Sequence, residues 1–237
     1  MRFLRNLILN IALYGSIFGM AFLMLPTLLL PRKQLLFFVH IWMNELEWVN
    51  THIGGMKYRV TGWENLPEGA CIVAPKHQSA WETIMLHRMF KDPAIILKKE
   101  LLMFPLIGWF MTRSQMIPID RKGRAAALAK MMRAAHRAAD DGRRIVIFPQ
   151  GTRVPVGVDA PYKSGIVGIY KELKLPIVPV ALNSGLLWPK NSFFKKPGLI
   201  TVEILPQIPA GLPREEMMTR LKDELETASN RLAKLSS

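Results

Sequence analysis

The sequence has a single cysteine, Cys71, and few acidic side chains. One cysteine excludes a disulfide framework within the chain and a zinc site built from several cysteines, and it is typical of a protein in a reducing compartment. The 18 acidic residues are outnumbered by 32 basic ones, so the 237 residues carry a formal charge of +14. This excess predicts an anionic partner, which is nucleic acid, an anionic membrane or a phosphorylated substrate.

Charged residues are absent between Asn6 and Pro31, a stretch long enough to cross the bilayer core, which takes about 20 apolar residues. A cleaved signal peptide is the alternative, but the apolar region is too long, and no small-residue cleavage site precedes the next apolar run, QLLFFVHIWM. Pro26 and Pro31 predict a helix, a break and a second helix. Basic residues flank both ends of the first run: Arg2, Arg5, Arg32 and Lys33. This symmetry favours a hairpin that enters one leaflet and returns.

Residues 51–237 alternate short apolar runs with helical patterns, which predicts an α/β domain after the membrane-associated helices of residues 1–50. Strand patterns occur at KYRVTGW, CIVAP, AIILKK, QMIPID, RIVIFP, IVPVAL and ITVEIL. Helical patterns occur at SAWETIMLHRM, AAALAKMMRAAHRAAD and GIVGIYKEL, and in a closing amphipathic helix that places Met217, Leu221, Leu225 and Leu232 on one face.

The basic excess belongs mainly to the α/β region. Residues 1–50 hold four basic and two acidic side chains, so +12 of the +14 remains for residues 51–237. Several of these cations lie close to predicted strands, and we expect them to form a basic surface around a site: Lys98, Lys99, Arg121, Lys122, Arg124, Arg143 and Arg144.

The first strand-to-helix junction places His77 just after CIVAP, and Glu82 follows five residues later. Histidine titrates near neutrality, so His77 is a candidate general base with Glu82 accepting from its ring N–H. Spacing alone favours another role, because Ser79 and Glu82 form a capping-box pattern in which the carboxylate accepts from the Ser79 amide. The remaining histidines lack such a partner and are predicted to be surface or packing residues: His40, His52, His87 and His136.

A second junction, RIVIFP followed by QGTR, brings Gly151, Thr152 and Arg153 to a strand end. Backbone amides, a hydroxyl and a guanidinium are the donors that bind phosphate. Lys98 and Arg121 are further cationic candidates at other strand ends. The sequence contains no Walker A, GxGxxG or GxSxG pattern, which excludes the usual nucleotide-binding and serine-hydrolase sites.

Taken in order, four blocks resemble the 1-acylglycerol-3-phosphate acyltransferase family, the PlsC-like glycerolipid acyltransferases. The blocks are KHQSAWET, the run from Lys98 through FPLIGWFMTRSQMIPIDR, FPQGTR and IVPVAL, covering residues 76–182. Two positions depart from the family pattern. Glu82 stands where aspartate is usual and keeps the carboxylate, whereas Gln150 stands where glutamate is usual and removes a charge from the acceptor-binding loop.

The resemblance implies an α/β sandwich with a mixed sheet flanked by helices. It also implies that His77 is the general base, oriented by Glu82, for acyl transfer from a thioester to the free hydroxyl of lysophosphatidic acid. Phosphatidic acid for phospholipid synthesis is the expected product. The substrate-binding residues implied are Lys98, Arg121, Gln150, Gly151, Thr152 and Arg153. No metal or resident cofactor is expected, since the acyl donor is a co-substrate, either acyl-CoA or acyl carrier protein.

Two alternatives to this function remain at the level of the sequence. In the first alternative the same enzyme chemistry uses another lyso-lipid as acceptor, such as a lyso-ornithine lipid. The neutral Gln150 leaves this alternative open. A membrane-tethered nucleic-acid-binding module is less favoured, because the basic residues are not interleaved with aromatic ones as in a stacking platform. We therefore expect the bilayer, and not nucleic acid, as the partner, with the catalytic domain on the cytoplasmic face of the cell membrane.

Overall fold

The computed structural model describes residues 2–120 and 125–235. Helices form where the sequence shows apolar residues at helical spacing, and each ends at a proline, a glycine or a change in that spacing. In chain order the α-helices are α1 (Arg2–Leu23), α2 (Arg32–Trp48), α3 (Trp81–Phe90), α4 (Ile107–Arg113), α5 (Ala125–Asp140), α6 (Gly165–Leu173), α7 (Ser184–Leu187) and α8 (Arg214–Lys234). Shorter 3₁₀ or π turns lie at Leu25–Leu29, Val49–Ile53, Trp63–Asn65 and Lys99–Met103.

A seven-stranded mixed sheet forms the centre of the molecule, as the sequence predicts. Its strands are β1 (Met56–Thr61), β2 (Ile72–Pro75), β3 (Ala94–Lys98), β4 (Ile117–Ile119), β5 (Ile145–Val146), β6 (Ile177–Leu182) and β7 (Gly198–Ile204). The spatial order is β1-β7-β6-β2-β5-β3-β4. Strands β2 to β6 run parallel to one another, whereas β7 pairs antiparallel with β6 and carries β1 parallel at the edge.

Helices cover both faces of the sheet, which explains why the central strands are nearly continuous runs of valine and isoleucine. Neighbouring residues of β2 belong to different cores, because side chains alternate along a strand. Val73 packs in the cluster that contains Trp81 and Leu86 of α3, and Ile72 packs in the cluster on the opposite face, with α5, α6 and α8. The predicted apolar face of α8 is confirmed, since four of its residues are buried: Met217, Leu221, Leu225 and Leu232.

The predicted helix, break and second helix at the N-terminus are confirmed. Helix α1 ends at Leu23, three residues before Pro26, and α2 begins directly after Pro31, where the ring suits the first turn. Of the described residues, α1 alone forms a helix long and apolar enough to cross a membrane. One hydrophobic cluster contains residues of α1 and α2 together with sheet residues such as Val146, so the ranges 1–50 and 51–237 share part of their core.

Helix α1 turns its polar side chains toward the α/β region and its large apolar side chains outward. Asn10 donates to the Phe193 carbonyl at 3.0 Å, and the Lys195 amide donates to Asn6 at 2.6 Å. The Lys195 ammonium donates to Asn10 at 2.7 Å. The exposed apolar side chains are Phe3, Leu4, Ile8, Ile11, Tyr14, Phe18, Phe22 and Leu23. This arrangement is the reverse of a water-soluble amphipathic helix.

The segment that follows α1 is fixed to the α/β region as well. Arg113 of α4 donates to the Leu30 carbonyl at 2.7 Å, and Arg32 pairs with Asp92 at 2.5 Å. A helix of 22 residues is about 33 Å long. The α/β region thus contacts the first half of α1 and the segment that follows the helix.

Candidate active site

Five strand ends meet at one edge of the sheet, because β2 to β6 run parallel. His77 follows β2, Lys98 ends β3, Asp120 follows β4, the loop from Gln150 to Arg153 follows β5, and Ser184 follows β6. Ligands of open α/β sheets bind outside the carboxyl ends of the strands. The topology thus brings together residues that lie more than 100 positions apart in the chain.

His77 and Glu82 are in contact. His77 Nδ1 lies 2.9 Å from Glu82 Oε1, and the Glu82 side chain is completely buried. An ionised carboxylate only accepts hydrogen bonds, so the ring proton resides on Nδ1 and Nε2 carries the free electron pair. This tautomer is the one that a general base needs.

The capping interpretation of Glu82 is correct at the same time. Its Oε1 atom also accepts the backbone N–H groups of Gln78 at 2.7 Å and Ser79 at 2.6 Å, at the start of α3. Ser184 Oγ donates to the second oxygen, Oε2, at 2.8 Å. Four donors therefore hold the carboxylate in place, and the burial of its charge is compensated by hydrogen bonds.

The ring and the backbone of His77 are held independently. Phe148, two residues after β5, stacks on the imidazole with ring centroids 4.0 Å apart and an interplanar angle of 24°. The Val154 amide donates to the His77 carbonyl at 2.7 Å, and the Gly185 amide donates to the Gln78 side chain at 3.0 Å. His77 is thus oriented from β5, from the following loop and from the start of α7, while 14% of its side chain stays exposed.

The loop after β5 contains the predicted phosphate-binding residues. Gly151 has φ +66°, a conformation that glycine adopts without strain, and its N–H donates to the Phe148 carbonyl at 2.9 Å. The Gly151 amide therefore closes the turn, and the role of this loop in binding phosphate stays a prediction. Thr152 is exposed. Arg153 makes a 3.3 Å hydrogen bond to Asn191, and Lys190 donates to the Arg153 carbonyl at 3.2 Å.

Gln150 is buried, and neither polar atom of its side chain has a hydrogen-bond partner among the residues that the structure describes. A buried amide without partners is costly and is uncommon in native structures. The residue follows Phe148, which stacks on the His77 imidazole, by two positions.

The other predicted cations differ in their placement. Lys98 is exposed at the end of β3, on the site edge. Lys99 forms an ion pair with Asp120, and this hydrogen bond raises the pKa of Lys99. Arg121 lies in residues 121–124, outside the described residues, as do Lys122 and Arg124.

Two arginines assigned to the basic surface lie elsewhere. Arg143 and Arg144 precede β5 at the amino edge of the sheet. Arg143 is buried and donates to the carbonyls of Pro93 at 3.1 Å and Ser114 at 3.2 Å. The expectation that they surround the site is wrong, because residues that precede a parallel strand lie at the edge of the sheet opposite to the carboxyl ends of the strands.

Cys71 and His136 both lie outside the candidate active site. Burial raises the pKa of Cys71 to about 11, so the thiol stays protonated and is a core residue, as predicted. His136 is a surface residue, but the prediction that it has no carboxylate partner is wrong, since its Nε2 lies 3.1 Å from Glu172 Oε1. Among residues 2–120 and 125–235 there is no group of three or more histidine, cysteine and acidic side chains that could hold a metal ion.

Sequence reasoning missed Ser184 and Lys190. Ser184 contacts Glu82 across 102 positions of sequence, and only its position directly after the IVPVAL strand pointed to the site. Lys190 follows α7 in a segment with no recognisable pattern. Both contacts depend on the strand order and not on local spacing.

Comparisons with known proteins identify the family of this chain. The profile of the acyltransferase family matches residues 57–183. A 1-acyl-sn-glycerol-3-phosphate acyltransferase from Pseudomonas aeruginosa is 36% identical over 179 residues, which are 76% of this chain and 70% of that protein. The enzyme of the same name from Saccharomyces cerevisiae is 33% identical over 159 residues, 65% of this chain, and the match spans only about half, 52%, of that longer protein.

A solved structure shares the complete fold. The crystal structure of the 1-acyl-sn-glycerophosphate (LPA) acyltransferase, PlsC, from Thermotoga maritima superposes with a TM-score of 0.78 and covers 98% of both chains at 23% identity. The α/β fold, the histidine and carboxylate at the strand ends and the family profile define an acyltransferase. The chain belongs to the acyltransferase family, and the resemblance of its four blocks to the 1-acylglycerol-3-phosphate acyltransferases is confirmed.

Proposed function

We propose that this protein transfers a fatty acyl group from an acyl thioester to the free hydroxyl of lysophosphatidic acid, forming phosphatidic acid. The observation that carries the proposal is the 2.9 Å contact between His77 Nδ1 and the buried Glu82, which leaves Nε2 as a base at the edge of the sheet. The names of the Pseudomonas and yeast relatives support the choice of acceptor.

The chemistry needs only the pair and the two substrates. His77 Nε2 takes the proton of the acceptor hydroxyl while its oxygen forms a bond to the thioester carbonyl carbon. Glu82 stabilises the imidazolium that results. The tetrahedral intermediate then collapses, the carbon–sulfur bond breaks, and the imidazolium proton passes to the leaving thiolate. Every proton is returned, so no covalent acyl-enzyme and no resident cofactor or metal is required.

The substrate-binding residues of the proposal are assigned from the family blocks and from their positions after the strands. Arg153 and Thr152 bind the acceptor phosphate together with Lys98, and Arg121 belongs to the same group by its resemblance to the family block. Arg153 suits this role because a guanidinium donates two parallel hydrogen bonds to phosphate oxygens. Gln150 supplies a neutral amide whose donor and acceptor have no partner among the described residues. The acyl donor is acyl-CoA or acyl carrier protein.

The N-terminal helices hold the enzyme on the bilayer in a hairpin that does not cross it. The outward apolar face of α1 suits burial in one leaflet, and contacts of the first half of α1 and of the following segment with the α/β region keep the helix on one side. The cytoplasmic face is the side on which acyl thioesters are available, so the catalytic domain belongs there. A reporter at residue 2 is expected on the same face as one at residue 235, and opposite faces would exclude the hairpin.

An acceptor comparison tests the function. Purified protein in vesicles is supplied with one acyl-CoA, and free thiol is measured with lysophosphatidic acid, with a lyso-ornithine lipid and with no acceptor. We expect rapid thiol release with lysophosphatidic acid alone. Equal or better turnover of the phosphate-free acceptor would reverse the assignment. Absence of thiol release with either acceptor, repeated with acyl carrier protein as donor, would contradict the proposed function.

A further inference from the structure

Lys76, the residue directly before the catalytic histidine, is a buried lysine that the chemistry above does not use. It is 2% exposed, and its ammonium contacts both carboxylate oxygens of Glu226 on α8, Oε2 at 2.5 Å. Tyr162 Oη donates to Glu226 Oε1 at 2.9 Å. Lysine is almost never fully buried without an opposite charge, so the pairing with Glu226 is what allows Lys76 to be buried here.

The position of Lys76 ties the catalytic segment to the sheet from the opposite side. Its N–H donates to the Val180 carbonyl at 2.9 Å and extends the pairing of β2 with β6 by one residue. Side chains alternate along an extended chain. Consequently Lys76 reaches α8 on one face of the sheet, while His77 contacts Glu82 and Phe148 on the other.

Glu226 also connects to the loop that follows Arg153. Tyr162 belongs to this loop, whose first part donates from the Val154 amide to the His77 carbonyl at 2.7 Å. At its end, the Lys163 amide donates to the Pro149 carbonyl at 2.8 Å. Burial, together with the charge of Glu226, raises the pKa of Tyr162, so the hydroxyl keeps its proton and remains a donor. One carboxylate on α8 thus joins the end of β2 and the loop after β5.

A purely structural role does not require charge at this place. Replacing a buried ion pair by apolar residues of similar volume is often neutral or stabilising, because desolvation offsets the attraction between the charges. A paired ammonium and carboxylate do fix the positions of both side chains, because hydrogen bonds depend on direction as well as distance. The segment whose position is fixed in this way is the one that contains His77.

We infer that Lys76, Tyr162 and Glu226 form a positioning triad that holds the catalytic histidine and the acceptor loop in register with helix α8. The inference rests on the proposed function for its kinetic consequences only. Misplacement of a reacting group by about 1 Å can lower a rate about 10²-fold. Loss of the triad is therefore expected to lower kcat while substrate affinity changes little.

The test compares stability, kinetics and the imidazole itself. Lys76→Met keeps an unbranched side chain one atom shorter and removes the charge, and the double variant Lys76→Met, Glu226→Met replaces the pair by apolar groups. We expect the double variant to melt within a few degrees of the wild type, yet to show a kcat about 10- to 100-fold lower, with the KM values for both substrates nearly unchanged. Lys222→Met is the matched control, because Lys222 lies one turn before Glu226 and pairs with the exposed Asp159 at 3.0 Å. It is expected to behave as the wild type.

A spectroscopic measurement separates this inference from the proposed function. With ¹⁵N-labelled histidine, the hydrogen-bonded Nδ1 proton of His77 is followed by NMR, which requires no substrate. Its resonance is expected to shift in the double variant and to stay in place in the Lys222 variant. Wild-type kcat together with an unchanged resonance in the double variant would overturn the triad. Inactive wild-type protein would instead contradict the acceptor assignment and leave the resonance to decide the triad.

Tyr162→Phe keeps the test decisive if the Lys76 variants do not fold. It removes one hydroxyl from Glu226 and leaves the ion pair intact. The loss of one hydrogen bond is expected to lower kcat by roughly two- to tenfold and to displace the His77 resonance in the same direction. Wild-type values for both would contradict the inference.

Discussion

Glu82 binds His77 and the first turn of α3 with the same oxygen atom. Oε1 lies 2.9 Å from the imidazole Nδ1 and 2.6 Å from the Ser79 amide. The same carboxylate oxygen therefore caps the helix and orients the base. Because the amides fix the carboxylate before any substrate binds, the imidazole is held in its reactive tautomer without a conformational change.

The charge of Glu82 can be separated from its capping role. Glu82→Gln keeps an oxygen for the backbone amides of α3 but removes the charge that stabilises the imidazolium. We expect an activity loss of about 10²-fold or more, by analogy with general-base catalysis, and a nearly unchanged melting temperature. Activity and thermal melts on the same preparation check this. Ser184→Ala, which removes only the donor to Oε2, is expected to lose roughly two- to tenfold. Full activity of Glu82→Gln would leave Glu82 with the capping role alone.

Removal of the base is the most direct test of the mechanism. His77→Ala is expected to lower acyl transfer by about 10²- to 10⁴-fold without unfolding the protein. His136→Ala is the matched control, because His136 also contacts a carboxylate, Glu172 at 3.1 Å, but lies exposed on α5. Thiol release from acyl-CoA is measured for both variants. Near wild-type activity of His77→Ala would contradict the assignment of the base.

Arginine geometry at the acceptor loop gives the third prediction. Arg153→Lys keeps the charge but loses the planar fork, so use of lysophosphatidic acid is expected to weaken by about ten- to a hundredfold. The constants for the acyl donor are expected to stay nearly unchanged. Arg231→Lys is the control. Arg231 is an exposed arginine on α8, and it donates to both carboxylate oxygens of Glu203 on β7. Equal kinetics of Arg153→Lys and the wild type toward both substrates would remove Arg153 from the phosphate site.

Membrane attachment is predicted to depend on the outward face of α1. Ile11→Glu and Phe18→Glu change exposed side chains, at 64% and 52% exposure, so folding is expected to persist while sedimentation with vesicles decreases. Leu128→Glu, on the exposed side of α5 at 51%, is expected to sediment as the wild type. High salt alone is expected to leave the wild type bound, because burial of apolar side chains is not screened. Complete release by salt would assign attachment to the basic surface instead.

His87 predicts an acid-dependent loss of stability. Removal of the ring from water lowers its pKa from an ordinary 6.5 to about 4, with the charges of His40 and Arg143 acting in the same direction and Asp92 against them. Between these two pKa values the unfolded chain binds a proton that the folded chain does not, so the free energy of unfolding falls as the pH decreases from 6.5 to 4. Denaturant unfolding of the wild type and His87→Gln over this range measures the effect. The difference between the two proteins is expected to narrow toward pH 4, and parallel curves would contradict it.

The sequence predicted well those features that depend on local pattern. Val- and Ile-rich runs located the strands, and the prolines located the break between α1 and α2, because periodicity and backbone restriction act over a few residues. The pairing of His77 with Glu82 could be predicted for the same reason, because the two residues are only five positions apart in the sequence. Contacts such as Ser184 with Glu82 and Lys76 with Glu226, 102 and 150 positions apart, were missed because strand order decides them. Arg143 was misplaced for a different reason, because it precedes β5 and therefore lies at the amino end of that strand, away from the site.

The anchoring of α1 has a consequence for how the chain is made. Asn6 and Asn10 leave the ribosome more than 180 positions before their partners at Phe193 and Lys195. During that interval the apolar side chains of the helix are exposed and its two side-chain amides lack their final partners. A bilayer or a chaperone is therefore needed to cover the helix until residues 193–195 are made, and the α/β region then folds against a helix that has already formed.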